Sequence, residues 1–379
     1  MTKLSIKDFY NDKTLLLTGI TGFVGKVLLE KLLREFSTSL KCIYVLIREK
    51  KSQTPEQRLA QLFFQSPIFE PHKDKIDLVH AINGDITAKG MALSENDRRK
   101  LIDEVNIVFH SAATVNFTGI FEKFIQQNID GTNSMLQLCQ KMIHLQSIVY
   151  VSTAYGHHSL LGRPNPYTLS KSITEWMIQE RYPSLPIIIC RPSIVSNSFR
   201  EPIPGWCDSL AGCAGAVILT SLGIARSFIF DVNCKADIIP VDMVVNSLII
   251  SAAYRASSLF THDKQVIHVT LGQNQITWGE FFNMTINLSD TLPPMKLIRP
   301  IKLHGCRRYI LKDPDSTLKM AINRQHRIKY ILITMKIIVT LFCYWLIRSP
   351  LHLVDIFYSY IVDLSVCIGI VLYFLNFYG

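Results

Sequence analysis

The stretch NPYTLSKSITEW, residues 165–176, sets Tyr167 and Lys171 four apart behind a proline, at the start of a helical pattern. Residues four apart on a helix share a face, so a phenol and an ammonium can serve one site. The pairing suits a proton donor beside a tuning cation, because a tyrosine that titrates near about 10 exchanges a proton poorly at neutral pH. The spacing also arises by chance on solvated helices, so its surroundings decide. Upstream, YVSTAYG puts Ser152 and Thr153 at the end of an apolar run that reads as a strand. Ligands of open α/β sheets bind at strand carboxyl ends. Hydroxyl, tyrosine and lysine in that order are what carbonyl reduction needs: the hydroxyl orients the carbonyl, the tyrosine protonates the developing oxyanion, and the lysine lowers the tyrosine pKa.

A dinucleotide site is expected nearer the N-terminus. TGITGFVG, residues 18–25, follows the first strand and opens a helix, with Gly19, Gly22 and Gly25 interleaved with Thr21, Phe23 and Val24. Glycines there permit a tight turn, and the backbone N–H groups of a helix N-terminus favour a pyrophosphate. The spacing is G-x-x-G-x-x-G rather than G-x-G-x-x-G, but the strand-to-helix setting is the one the motif requires. The second strand ends in LIREKK, with no acid to grip a ribose 2′-hydroxyl. Arg48 there would instead meet a 2′-phosphate, which favours NADPH over NADH. GDIT (84–87) offers Asp85 and Ile86 to the adenosine side, and the small residues Ala112 and Ala113 of HSAATVNF let a dinucleotide lie close. His110 reads equally well as a core histidine and receives no role.

These residues need a scaffold. TLLLT (14–18), CIYVLI (42–47), IDLVHAI (76–82), VNIVFH (105–110), SIVYVST (147–153) and PIIICRP (186–192) read as strands, and FVGKVLLEKLLREF (23–36) as a helix between the first two. Apolar runs this continuous fit strands buried on both faces, and their alternation with helices predicts a doubly wound parallel sheet. No repeat, low-complexity tract or secretory signal is found. The nine cysteines show no CxxC pair or metal-ligand spacing and read as reduced thiols facing the cytosol.

The chain of 379 residues is 48% hydrophobic and carries a net charge of +10. Residues 296–336 hold eleven Lys or Arg against two Asp, so the basicity is local. Since that strip adjoins the most apolar part of the chain, an anionic membrane surface is a better expected partner than nucleic acid. KIIVTLFCYWLI (336–347) and LSVCIGIVLYFLNFYG (364–379) each fall short of a full span, which suggests a membrane-embedded hairpin, or one span with an interfacial helix. The expected organisation is a reductase domain at 1–290, its substrate-binding part within about 198–290, a basic linker at 291–330 and a membrane-associated helical tail at 331–379.

Taken together, KTLLLTGITGFVGKVLLEKLLR, VNIVFHSAATVNF, VSTAY, YTLSK, CRPSIV, EPIPGWCDSLAG and KADIIPVDMVVNSLI resemble the fatty acyl-CoA reductases, within the extended short-chain dehydrogenases, over about residues 5–290. The resemblance implies a Rossmann-type, membrane-associated enzyme facing the cytosol from the endoplasmic reticulum or peroxisome. It would use NADPH to take a long-chain acyl-CoA to a primary alcohol, through a hemithioacetal that expels CoA and a bound aldehyde. It also makes Tyr167 and Lys171 the catalytic pair, with Lys171 on the nicotinamide ribose, and Thr153, or failing it Ser152, the hydroxyl. Homodimer formation is left open. Two departures stand out: the connection between Tyr155 and Tyr167 is shorter than the family's, and the C-terminal region diverges. Two rivals remain, an extended dehydrogenase acting on a sterol or nucleotide-sugar, and a catalytically weak, membrane-anchored NADPH-binding regulatory protein.

Overall fold

The computed structural model describes residues 5–50, 53–115, 121–156, 165–221, 231–257, 259–260 and 265–291. The expected basic linker and apolar tail, and the centre of the 155–167 connection, lie outside the described residues. The chain divides into two units, Met1–Ala214 with Lys235–Ile276, and Gly215–Cys234 with Thr277–Gly379.

The first unit is built on strands β1 (Thr14–Thr18), β2 (Cys42–Ile47), β3 (Val79–Asn83), β4 (Ile107–His110), β5 (Ser147–Val151), β6 (Ile187–Pro192), β7 (Ile194–Ser196), β8 (Lys235–Ala236), β9 (Ile238–Pro240) and β10 (Val266–Val269). Seven of them form one sheet in the order β10-β6-β5-β4-β1-β2-β3. Every pairing in it is parallel, with Thr18 level with Leu46 on one side and His110 on the other. Strand order reverses between β1 and β4, the point at which doubly wound sheets bind ligands.

Strand residues alternate between two cores, as the period of two demands. Leu15 and Leu17 of β1, Val45 of β2 and Val149 of β5 join one core with Leu28 and Leu32 of helix α2 and Val244 and Leu248 of helix α9. Leu16, Tyr44 and Ile148 face the other, with Leu101 of α4, Met135 of α6 and Ile178 of α7. The helices are α1 (Ile6–Tyr10), α2 (Phe23–Phe36), α3 (Pro55–Gln65), α4 (Glu95–Glu104), α5 (Phe121–Phe124), α6 (Gly131–Cys139), α7 (Pro166–Arg181), α8 (Cys213–Ser221), α9 (Val241–Ala256) and α10 (Trp278–Thr291).

Most expected strands agree with the structure to within two residues. The third starts at Val79 rather than 76, because Pro67 opens a 3-10 segment, Pro67–Leu78, whose Ile76 and Leu78 pack on the core without joining the sheet. No described helix is long and apolar enough to cross a membrane. In the second unit, α8 buries Ala216 and Leu219. Helix α10 packs Trp278 against Phe281 and Phe282.

Candidate active site

At the end of β1 the chain turns sharply: Gly22 N–H donates to the Gly19 carbonyl over 2.9 Å, and α2 begins with Gly22 as its N-cap. Gly19 has φ +79, and a Cβ there would meet Ala112 N and Ser111 Oγ at 2.8 Å. At Gly25 a Cβ would stand 2.3 Å from the Gly19 carbonyl oxygen. The turn therefore folds back on its own helix, and the first-turn N–H groups around Thr21, Phe23 and Val24 lack helical acceptors, as at any helix start. The fold brings Ala112 against this turn through its N–H, which donates to Thr18 Oγ1 over 3.1 Å, and Ala113 follows it in the same loop.

Across the sheet, Arg48 follows β2 and Asp85 follows β3, and the two come together with 3.6 Å between Arg48 Nη1 and Asp85 Oδ2. Burial works against the Asp85 charge, but bonds from Thr87 N–H and Oγ1–H, with Arg48 nearby, hold its carboxyl below the usual range. Ile86 packs against Gly131 at the start of α6. Arg58, unanticipated from sequence, projects from α3 and donates to the Arg48 carbonyl. Burial and the Arg48 guanidinium lower its pKa, so two cations share this corner. Ten residues separate them in sequence, and only α3 folding back over β2 joins them.

Helix α7 starts with Asn165, whose side chain accepts the Thr168 N–H over 2.9 Å, and Pro166 at its first position. That start turns Tyr167 and Lys171 inward. Burial pushes the Tyr167 phenol up. Lys171, 3% exposed, donates from Nζ to the Val151 carbonyl over 2.7 Å and lies 4.7 Å from the centre of the Tyr150 ring. Burial pulls it down to about 7, against the opposing charge of Glu175. The hydroxyls of Ser152 and Thr153 are both buried, but they differ in partners. Ser152 Oγ donates to Glu175 Oε1, whereas Thr153 Oγ1 accepts from Tyr155 N–H at 3.4 Å and donates to no acceptor among the described residues.

His110 is fully buried in a directed chain of hydrogen bonds. Ala112 N–H donates to Thr18 Oγ1, which is 2.9 Å from His110 Nδ1; His110 Nε2 is 3.0 Å from Thr132 Oγ1, and that hydroxyl donates to the Asn128 carbonyl over 2.7 Å. Since Thr132 spends its proton on Asn128, the histidine proton sits on Nε2 and Nδ1 accepts from Thr18. Burial, with Lys171 adding to it, drives the ring down to about 3, so it is neutral. Asn128 lies in a π-helical turn, Ile125–Asp130, which frees its carbonyl for the hydroxyls of Thr132 and Thr174. Its side chain bonds Thr114 and Ser170, tying the loop after β4 to α7.

The EPIPGWCDSL segment lies along α2. Glu201 pairs with Lys31 at 2.6 Å and Arg34 at 2.8 Å, Asp208 pairs with Lys26, and Trp206 stacks on Phe23 at 5.7 Å. The Arg34 guanidinium, working against burial and joined by Lys31, holds Glu201 at about 2.

A profile described as male sterility protein, an NAD-binding domain, matches residues 17–163 and 157–248. The chain belongs to that family. The chain is 35% identical over 319 residues to "Fatty acyl-CoA reductase 1" of Mus musculus, covering 73% of this chain and 61% of the relative. It is 33% identical over 331 residues to "Fatty acyl-CoA reductase wat" of Drosophila melanogaster, covering 76% and 63%. The chain thus spans a little under two thirds of the length of these curated relatives. Among solved structures it resembles the terminal R domain from the myxalamid PKS-NRPS biosynthetic pathway, with 25% identity, a TM-score of 0.58 and coverage of 72% and 68%. The family, the glycine turn and the sheet reversal together make this a nicotinamide dinucleotide-binding domain.

Proposed function

We propose that the chain is an NADPH-dependent reductase that takes long-chain fatty acyl-CoA to the primary alcohol through a bound aldehyde, releasing CoA. What supports it most is that Lys171 donates to the Val151 carbonyl at the end of β5, two residues before Thr153, with Tyr167 one turn earlier on α7, in a chain whose relatives carry the name fatty acyl-CoA reductase. The residues fit the dinucleotide: Gly19 and Gly25 leave no room for a side chain, and the guanidiniums of Arg48 and Arg58 suit a 2′-phosphate.

When bound, NADPH would supply the hydride that reduces the thioester carbonyl and then the aldehyde. Thr153 Oγ1–H orients the carbonyl oxygen, and Tyr167 Oη gives that oxygen a proton as charge develops on it. A neutral His110 cannot compete as the acid; it braces the Thr18 turn instead. Lys171, charged only below about pH 7, supplies the cation that favours the tyrosinate left behind. The same reading seats basic residues 296–336 on an anionic membrane surface and embeds residues 331–379, with the catalytic domain in the cytosol at the endoplasmic reticulum or peroxisome.

Purified chain incubated with NADPH and acyl-CoAs of varied length tests the reading. Fatty alcohol and free CoA are expected, with two NADPH consumed per alcohol. NADPH binding without reduction of any acyl-CoA would overturn it in favour of a regulatory NADPH-binding protein, and turnover of a sterol or nucleotide-sugar in favour of another dehydrogenase.

A further inference from the structure

Behind the proton-transfer residues lies a buried ion pair with no assigned part in hydride chemistry. Glu175 and Arg191 have side chains 6% and 7% exposed and join through Arg191 Nη2 and Glu175 Oε2, while Arg191 Nε lies 3.1 Å from both carboxylate oxygens. A buried pair adds little net stability, since desolvation offsets the attraction. Its interest is in what it touches. Glu175 falls one turn beyond Lys171 and two beyond Tyr167, on the same face of α7. Its carboxylate accepts the Ser152 hydroxyl hydrogen bond.

Ionisable groups reach the surroundings of Lys171 from several elements. Tyr150 of β5 lies under its ammonium, His110 of β4 feels its charge, and Tyr167 and Glu175 share its helix. Arg191 of β6 stands behind Glu175, with His268 of β10 at 3.3 Å from Arg191 Nη1. Among these, Glu175 is the one carboxyl group.

We propose that Glu175, locked by Arg191, is a positioning residue of the reductase site: it keeps Lys171 cationic and engages the Ser152 hydroxyl, leaving Thr153 to meet the substrate carbonyl. The inference rests on the reductase reading above. Its physical content is a sign. Burial disfavours the Lys171 ammonium, and Glu175 opposes burial. Replacing Glu175 by a neutral residue leaves Lys171 and Arg191 as two buried like charges, so Lys171 loses its proton at lower pH.

The test uses the full 379-residue chain, with NADPH affinity followed by fluorescence and palmitoyl-CoA turnover measured across pH. In the wild type both should fall as pH rises through about 7, the value at which Lys171 loses its charge. Glu175→Gln should move this alkaline limb down by about one pH unit, with loss at pH 7.5 partly recovered near pH 6. Ser152→Ala keeps the carboxylate and should leave the limb at its wild-type position. If Glu175→Gln does not fold, the double change Glu175→Gln with Arg191→Met removes both charges, a swap buried pairs often tolerate, and its limb should lie below the wild type's. A Glu175→Gln or double variant that loses the same factor at every pH, limb unmoved, would overturn the proposal. A wild type that reduces no acyl-CoA sinks the reductase reading instead, and the pH limb of NADPH binding then still decides the Glu175 coupling.

Discussion

At the residue scale, two hydroxyls on adjacent residues have different fates because of one carboxylate. Ser152 is bound to Glu175 and Thr153 is not. Tyr167→Phe preserves shape and leaves the glycine turn untouched, so NADPH affinity should stay within about twofold while single-turnover reduction falls by roughly 10² to 10⁴, as for loss of a general acid. Lys171→Ala should lower both affinity and turnover. Wild-type turnover in Tyr167→Phe would remove it from the chemistry. The adenosine corner makes a separate prediction. Arg48→Glu and Arg58→Ala should each raise the KM for NADPH by about tenfold or more and that for NADH far less, because each removes a partner of the 2′-phosphate. Equal effects on both cofactors would show that these guanidiniums do not meet that phosphate.

At the scale of elements, the site is a junction between turns and helices rather than a pocket in one of them. The glycine turn is held from three sides: by Ala112 through Thr18, by its own helix at Gly25, and by Trp206 on Phe23. Gly25→Ala would drive a methyl into the backbone oxygen of Gly19, which cannot yield without opening the turn. We expect a loss of about 1 to 3 kcal/mol in stability, as for overpacking, and NADPH affinity reduced by at least about tenfold, read by thermal unfolding and fluorescence titration. Undiminished affinity would mean that the turn adapts, and that the cofactor does not depend on its shape.

For the whole molecule, the question is what the basic strip and apolar tail do together. Removing residues 331–379 should shift the protein from the membrane pellet to the supernatant, whereas high salt acting on the intact chain should not, because salt screens the charges of residues 296–336 and leaves apolar contact unaffected. Complete salt extraction of the intact chain would show that the tail is not embedded. Since the proposed catalytic and cofactor-binding residues all belong to the first unit, the released form should keep NADPH affinity.

The sheet was legible in the sequence because strands buried on both faces must be apolar at every position, a pattern no exposed element shares; β1 and β2 were read to the residue for that reason. Tyr167, Lys171 and the glycines stand out in the sequence because the chemistry proposed for them depends on local spacing along one helix or one turn. The start of β3 was misjudged since apolar residues that pack from a 3-10 segment look like strand in sequence. Other partnerships had no local signal at all. Arg58 reaches Arg48 only through the packing of α3 on the sheet, and His110 acquires its fixed tautomer from Thr18 and Thr132 on two other elements. Glu175 could have been suspected one turn beyond Lys171, but its tie to Arg191 and Ser152 joins α7, β6 and the end of β5. Chain order sets which groups share a helix face; only the tertiary structure decides which charges are buried together, and burial is what gives those charges leverage over one another.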